Sequence, residues 1–171
     1  MDNPPPADGS KIVLVDTDHC RAMFHDPAWV WKNFTRGNHF VLMDGYMDFR
    51  IGSPKQPNQD WDVTRQAMGD TLRFASRMKL AEILPTNDAA LCSTRYCLRN
   101  PGKEYLVYQP ETGPFDVNVV AGTYHFEWFD PSSHKTVETS QRHLTGGSMR
   151  FTPPFEGTAV LYLKAIAEDA R

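Results

Sequence analysis

A chain of 171 residues that is 40% hydrophobic and 23% charged carries enough apolar side chain for one ordinary core or two small ones, which excludes a disordered or fibrous protein. Its net charge of -3, with basic residues scattered among acidic ones, offers no field to collect phosphates, so nucleic acid is not an expected partner. No apolar run approaches the roughly 20 residues that cross a bilayer, and the opening Met1-Asp2-Asn3-Pro4-Pro5-Pro6 has neither a basic start nor an apolar stretch, so no membrane partner and no export signal are visible.

Residues 1–10 read as a flexible, proline-rich segment. Residues 11–15, Lys-Ile-Val-Leu-Val, form a continuous β-branched run of the kind buried on both faces, and residues 40–43, Phe-Val-Leu-Met, form a second. Both runs end in acidic residues, Asp16 and Asp44. Between them a short helix is expected, with Asp26 as N-cap, Pro27 at the first helical position and Gly37 as the stop. A longer helix is expected over residues 62–78. There Ala67, Thr71, Phe74 and Met78 share a stripe with Met68, Leu72 and Ala75, while Asp62, Gln66, Asp70, Arg73 and Arg77 form the polar face.

The pattern changes near Pro85. Before it, strands alternate with helices, the signature of a parallel sheet; after it come only strands and turns. Phe115, Val117 and Val119 alternate with polar residues, as do Tyr124, Phe126 and Trp128. Residues 105–108, 149–151 and 159–163 add further strands, and Asn100-Pro101-Gly102, Asp130-Pro131 and Gly146-Gly147 supply turns. This half reads as an antiparallel β-sandwich, with Trp128 in its core. Cys92 and Cys97, five apart in what reads as one strand, would face opposite sides about 16 Å apart and could not bridge unless that strand breaks.

Two sets of residues carry a family resemblance. Asp16-Thr17-Asp18-His19, Pro27-Ala28-Trp29-Val30-Trp31-Lys32, Arg36-Gly37 and Leu42-Met43-Asp44-Gly45-Tyr46 resemble the end of the apiosidase-like glycoside hydrolase catalytic domain. Residues 93–108, Glu127-Trp128-Phe129-Asp130-Pro131, Gly146-Gly147 and Thr152-Pro153-Pro154-Phe155 resemble the sandwich domain named for collagen binding in a collagenase. The resemblance implies an α+β chain: residues 11–84 as the last two strand-helix units of a (β/α)8 glycosidase barrel, then residues 85–171 as an accessory sandwich. Six barrel strands are then missing, and full-length relatives are expected to be exported. Residues 20–25, Cys-Arg-Ala-Met-Phe-His, depart from the family, which there shows a tryptophan and glycines.

Barrel chemistry sits at the carboxyl ends of the strands, which makes Asp16 and Asp18 the catalytic candidates of an intact relative and His19, Asp44 and Tyr46 the substrate-binding candidates. In an extended strand Asp16 and Asp18 would share a face about 6.6 Å apart; capping of the strand end explains the same residues without catalysis. Asp16, Asp18, His19 and His25 include oxygen and nitrogen donors, but neither a paired-histidine helix nor a calcium loop, so no metal and no cofactor are expected. Trp29 and Trp31, about 200° apart on a helix, cannot both line one sugar platform. The expected function is that of a C-terminal glycoside-hydrolase fragment, inactive alone. The alternative is a non-catalytic module that binds a polysaccharide, an oligosaccharide or collagen, although no aromatic trench for a collagen rod is legible. Open strand edges also predict self-association.

Overall fold

Residues 3–16, 26–42 and 62–166 are described here in a computed structural model. The two β-branched runs become short strands, β1 (Leu14–Asp16) and β2 (His39–Val41), which lie side by side and parallel with Val15 opposite Phe40. Helix α1 (Pro27–Thr35) lies between them in the chain. Its start follows from local chemistry: the Asp26 carboxylate accepts from the Trp29 amide at 3.2 Å, and Pro27 occupies the first turn, where an amide proton would have no helical partner. Gly37, at φ +73°, ends it in the left-handed conformation that glycine adopts without strain.

The expectation that both runs are buried on two faces is not met. Val15 and Phe40 rest against the core, Phe40 edge-on to Trp29 at 5.9 Å, but on the other face Ile12, Leu14 and Val41 are 75, 70 and 46% exposed. Helices cover only one side of this two-stranded sheet. Trp29 and Trp31 are both buried because α1 is itself covered on two sides: Trp29 meets Phe40 of β2, and Trp31 reaches the opposite way into the large sheet.

Helix α2 (Asp62–Ala75) ends one turn earlier than the periodicity predicts. Thr64, Ala67, Asp70, Thr71 and Phe74 are its buried residues, while Leu72 is 68% exposed. Asp70 thus leaves the expected polar face and Leu72 leaves the apolar one. Asp70 is held inward by the Nδ1 of His134 at 2.6 Å, a partner 64 positions away that no local pattern announces.

A short 3-10 turn (Leu80–Glu82) leads into β3 (Leu84–Thr86), β4 (Cys97–Asn100), β5 (Glu104–Gln109), β6 (Phe115–Val119), β7 (Gly122–Asp130), β8 (Lys135–Leu144), β9 (Gly147–Phe151) and β10 (Ala159–Ala165). Six of these form an antiparallel sheet in the order β3-β4-β5-β10-β7-β8, and β6 pairs with β9 to make a smaller sheet across from it. The protein is an α+β fold with a β-sandwich. Strand periodicity places alternate residues of the large sheet in two cores. Tyr105, Val107, Phe126, Trp128 and Leu161 face β6 and β9, whereas Leu106, Tyr108, Phe129, Val160 and Tyr162 face α1 and α2. Trp128 is sandwich core, as its alternation predicts.

Three details depart from the sequence reading. Strand β8, rich in polar residues, lies at the sheet edge and was hidden by its lack of an apolar face. Cys92 and Cys97 do not share a strand: Arg95, at φ +64°, turns the chain between them, its amide donating to the Cys92 carbonyl at 2.9 Å. The amino-terminal segment is docked from residue 3 to residue 7. Arg36 and Tyr96 both donate to the Asn3 side-chain oxygen, Asn38 Nδ2 donates to the Pro5 carbonyl at 2.9 Å, and the Ala7 amide donates to the Arg36 carbonyl at 2.8 Å. Prolines keep this stretch extended, and its carbonyls then meet donors at the end of α1.

Candidate functional site

Asp16 is the last residue of β1, exposed, and opposite Val41 in the parallel register. Parallel pairing puts the carboxyl ends of both strands, Asp16 and Val41, side by side at one end of the pair. Side chains alternate along a strand, which puts Asp16 on the same face as Leu14, with His39 and Val41 next to them on β2 and Val15 and Phe40 turned toward the helices. His39 is an addition to the sequence reading; the register opposite Leu14 brings it to this face. Asp18, His19, His25, Asp44 and Tyr46 lie outside the described residues. The spacing expected between Asp16 and Asp18 is therefore unmeasured. Among the described residues no group of three or more His, Cys, Asp or Glu is arranged to hold a metal ion.

A second gathering of charge lies between α2 and the large sheet. Glu104 and Glu127 are both nearly inaccessible. Glu104 accepts from the Tyr162 hydroxyl and, at 3.1 Å, from the Lys79 amide, with Lys164 Nζ at 3.8 Å. Glu127 accepts from Thr136 at 2.8 Å and pairs with Arg77 at 2.8 Å. Burial alone raises the Glu127 carboxyl, but the Arg77 and Thr136 hydrogen bonds outweigh it and hold the group below the ordinary glutamate range. Burial and the Glu104 carboxylate push the Tyr162 hydroxyl well above its usual range, so it stays protonated and donates.

Next to Glu104 lies an open cavity of about 320 Å³ lined by Lys79, Glu82, Asn100, Lys103 and Lys164. Its carboxylates are already engaged: Glu82 receives Asn100 at 3.2 Å and Lys103 at 3.3 Å. These pairs tie the 3-10 turn to β4 and to the turn that leads into β5, and Lys164 Nζ, donating to the Arg77 carbonyl at 2.9 Å, ties the residues after α2 to β10. Their chemistry is that of an anchor, since buried Glu104 and half-exposed Glu82 both have donors from the sheet.

No family model matches the chain, and no curated protein does. Solved structures do. One described as a glycoside hydrolase aligns with a TM-score of 0.52 at 13% identity over 85% of this chain and 38% of its own. A family 5 glycoside hydrolase from Bacteroides vulgatus aligns with a TM-score of 0.53 at 14% identity over 85% of this chain and 37% of its own. These likenesses are of fold. The chain spans less than two fifths of either hydrolase.

Asp16 is exposed at the end of a parallel strand, whereas Glu104 and Glu127 are buried. Tyr105, Tyr124, Phe126 and Trp128 are all buried, and the exposed large hydrophobic residues among those described are aliphatic.

Proposed function

We propose that this chain is the C-terminal part of a glycoside-hydrolase-like protein. In this reading β1 and β2 are the last two strands of a (β/α)8 barrel, α2 is its last helix, and the sandwich is an accessory domain that covers that helix. The observation that carries it is the parallel β1–β2 pair, covered by helix on one face and showing Ile12, Leu14 and Val41 on the other. In a closed barrel that second face is filled by side chains from the other strands. The partial coverage of both hydrolases supports the same reading, as does the contact of Phe74 on α2 with Phe129 and Tyr162 of the sheet.

Asp16 or Asp18 is proposed to supply one of the two acting carboxylates at the strand ends of an intact protein, the other coming from an earlier strand, with His19, Asp44 and Tyr46 contacting a polysaccharide or oligosaccharide. Glycosidases of this kind need two carboxyl groups flanking the bond to be cleaved, brought together from separate strands. The chain alone is therefore expected to be inactive. The test is an assay of the purified chain on a panel of aryl glycosides and soluble polysaccharides. No turnover above a heat-denatured control is expected; turnover that disappears with Asp16→Asn would overturn the fragment reading.

A further inference from the structure

We propose that Cys92 and Cys97 form a disulfide that fastens the small sheet of the sandwich to the large one. Neither cysteine is used by the functional reading; both are buried in the sandwich core, and in this structure they are free thiols. They belong to different sheets. Cys92 makes a bridge with Val117 of β6, while Cys97 is the first residue of β4 and pairs with Val107 of β5.

The turn at residues 92–96 folds one toward the other. The Arg95 amide donates to the Cys92 carbonyl at 2.9 Å, and Arg95 takes the left-handed conformation, at φ +64°. Thr94 Oγ1 lies 3.3 Å from the Cys92 sulfur and accepts from the Tyr96 amide at 3.2 Å, so the Cys92 side chain lies against the residues that lead into Cys97. A strained non-glycine turn held by a threonine bridge is a costly way to place two apolar thiols, but a direct way to place two sulfurs that bond.

Each cysteine also acts on the other's ionisation. Hydrogen bonding from Cys97 draws the Cys92 thiol down to about 7, and the same contact with burial pushes the Cys97 thiol well above its ordinary range. The oxidant is a low-molecular-weight disulfide such as oxidised glutathione. The thiolate of one cysteine attacks one of its sulfurs and expels a thiolate; the other cysteine, losing its proton, then attacks the protein sulfur of that mixed disulfide and expels the second. Two protein thiols are oxidised and one disulfide is reduced to two thiols. Because both cysteines are inaccessible once the core has closed, the exchange belongs to the folding chain in an oxidising compartment.

Trypsin makes the test direct, because it cuts after Arg95, between the two cysteines, and after Lys79 and Arg99. The full chain is refolded in a glutathione redox buffer or in excess reductant, blocked with iodoacetamide under denaturing conditions, and digested without reduction. Cys20→Ser is run in parallel to remove the third thiol. After oxidative refolding, peptides 80–95 and 96–99 are expected as one linked species, two hydrogens lighter than their sum, in both proteins. They are expected separate and alkylated after reductive refolding. The linked form should melt about 4–8 °C higher, the shift of a six-residue loop in a domain of this size. Recovery of both cysteines alkylated after oxidative refolding, or of either one linked to Cys20, overturns the proposal.

Discussion

Glu127 shows how one buried charge is kept at low cost. Its carboxylate has Arg77 and Thr136 as hydrogen-bond partners and His125 Nε2 at 3.8 Å, while the Arg77 guanidinium also lies over the rings of Phe74 and Tyr162 at 4.4 and 4.7 Å. The folded chain therefore holds this carboxyl below its ordinary value of 4.5. A group whose pKa is depressed by folding adds stability above its unfolded pKa, and that stability is lost as pH falls through the folded value. Urea unfolding followed from pH 7 to pH 3 should show a drop in midpoint below about pH 4.5, and Glu127→Gln should flatten part of it. At pH 7 the same substitution is expected to cost about 1–3 kcal/mol, since Arg77 loses its ion-pair partner. An unchanged acid slope would show that the carboxyl titrates alike in the folded and unfolded chains.

At the scale of elements, α2 is bound to the sheet by Phe74, whose ring meets Trp31, Phe129 and Tyr162 at centroid distances of 5.5 to 5.8 Å. Phe74→Ala is expected to destabilise the protein by about 3–5 kcal/mol, the cost of a lost aromatic and its cavity. Leu72→Ala, two positions away but solvent-facing, should stay within about 0.5 kcal/mol. Chemical denaturation of both variants checks the pair; equal costs would mean that α2 docks through a different face. This contrast also marks what the residues disclosed beforehand. The caps of α1 were legible because Asp26, Pro27 and Gly37 act on their own neighbours, and the two-core alternation of the sandwich was half legible because Tyr124, Phe126 and Trp128 repeat at period two. The facing of α2 was not, because the Asp70–His134 pair that draws Asp70 inward joins distant residues. The cysteine turn stayed hidden because an arginine in the left-handed region gives no compositional signal. Of the candidate site, the position of Asp16 at a parallel strand end could be read from a β-branched run ending in acid; His39 joined it only through a register that spans two strands.

For the whole molecule, the unresolved balance is between two well-filled cores and one bare face. Among the described residues, Ile12, Leu14 and Val41 stand exposed on a sheet of two strands, and Leu84 is exposed on β3, at one edge of the large sheet. Apolar surface of this kind gains roughly 25 cal/mol for each Å² removed from water, and unpaired strand edges add backbone donors and acceptors that a second chain can satisfy. The isolated chain is thus expected to self-associate through this apolar face, which in the proposed reading would be turned toward the interior of a barrel. Sedimentation velocity across a hundredfold range of concentration should show growth in mean mass. Leu14→Glu places a charge at the centre of that face and should weaken association by about tenfold or more, the equivalent of losing one buried leucine. Because Leu14 is already in contact with water, the same substitution should leave the unfolding midpoint of the monomer nearly unchanged. A wild-type chain that stays monomeric at every concentration would mean that this face is covered from within the chain and would overturn the proposed barrel reading.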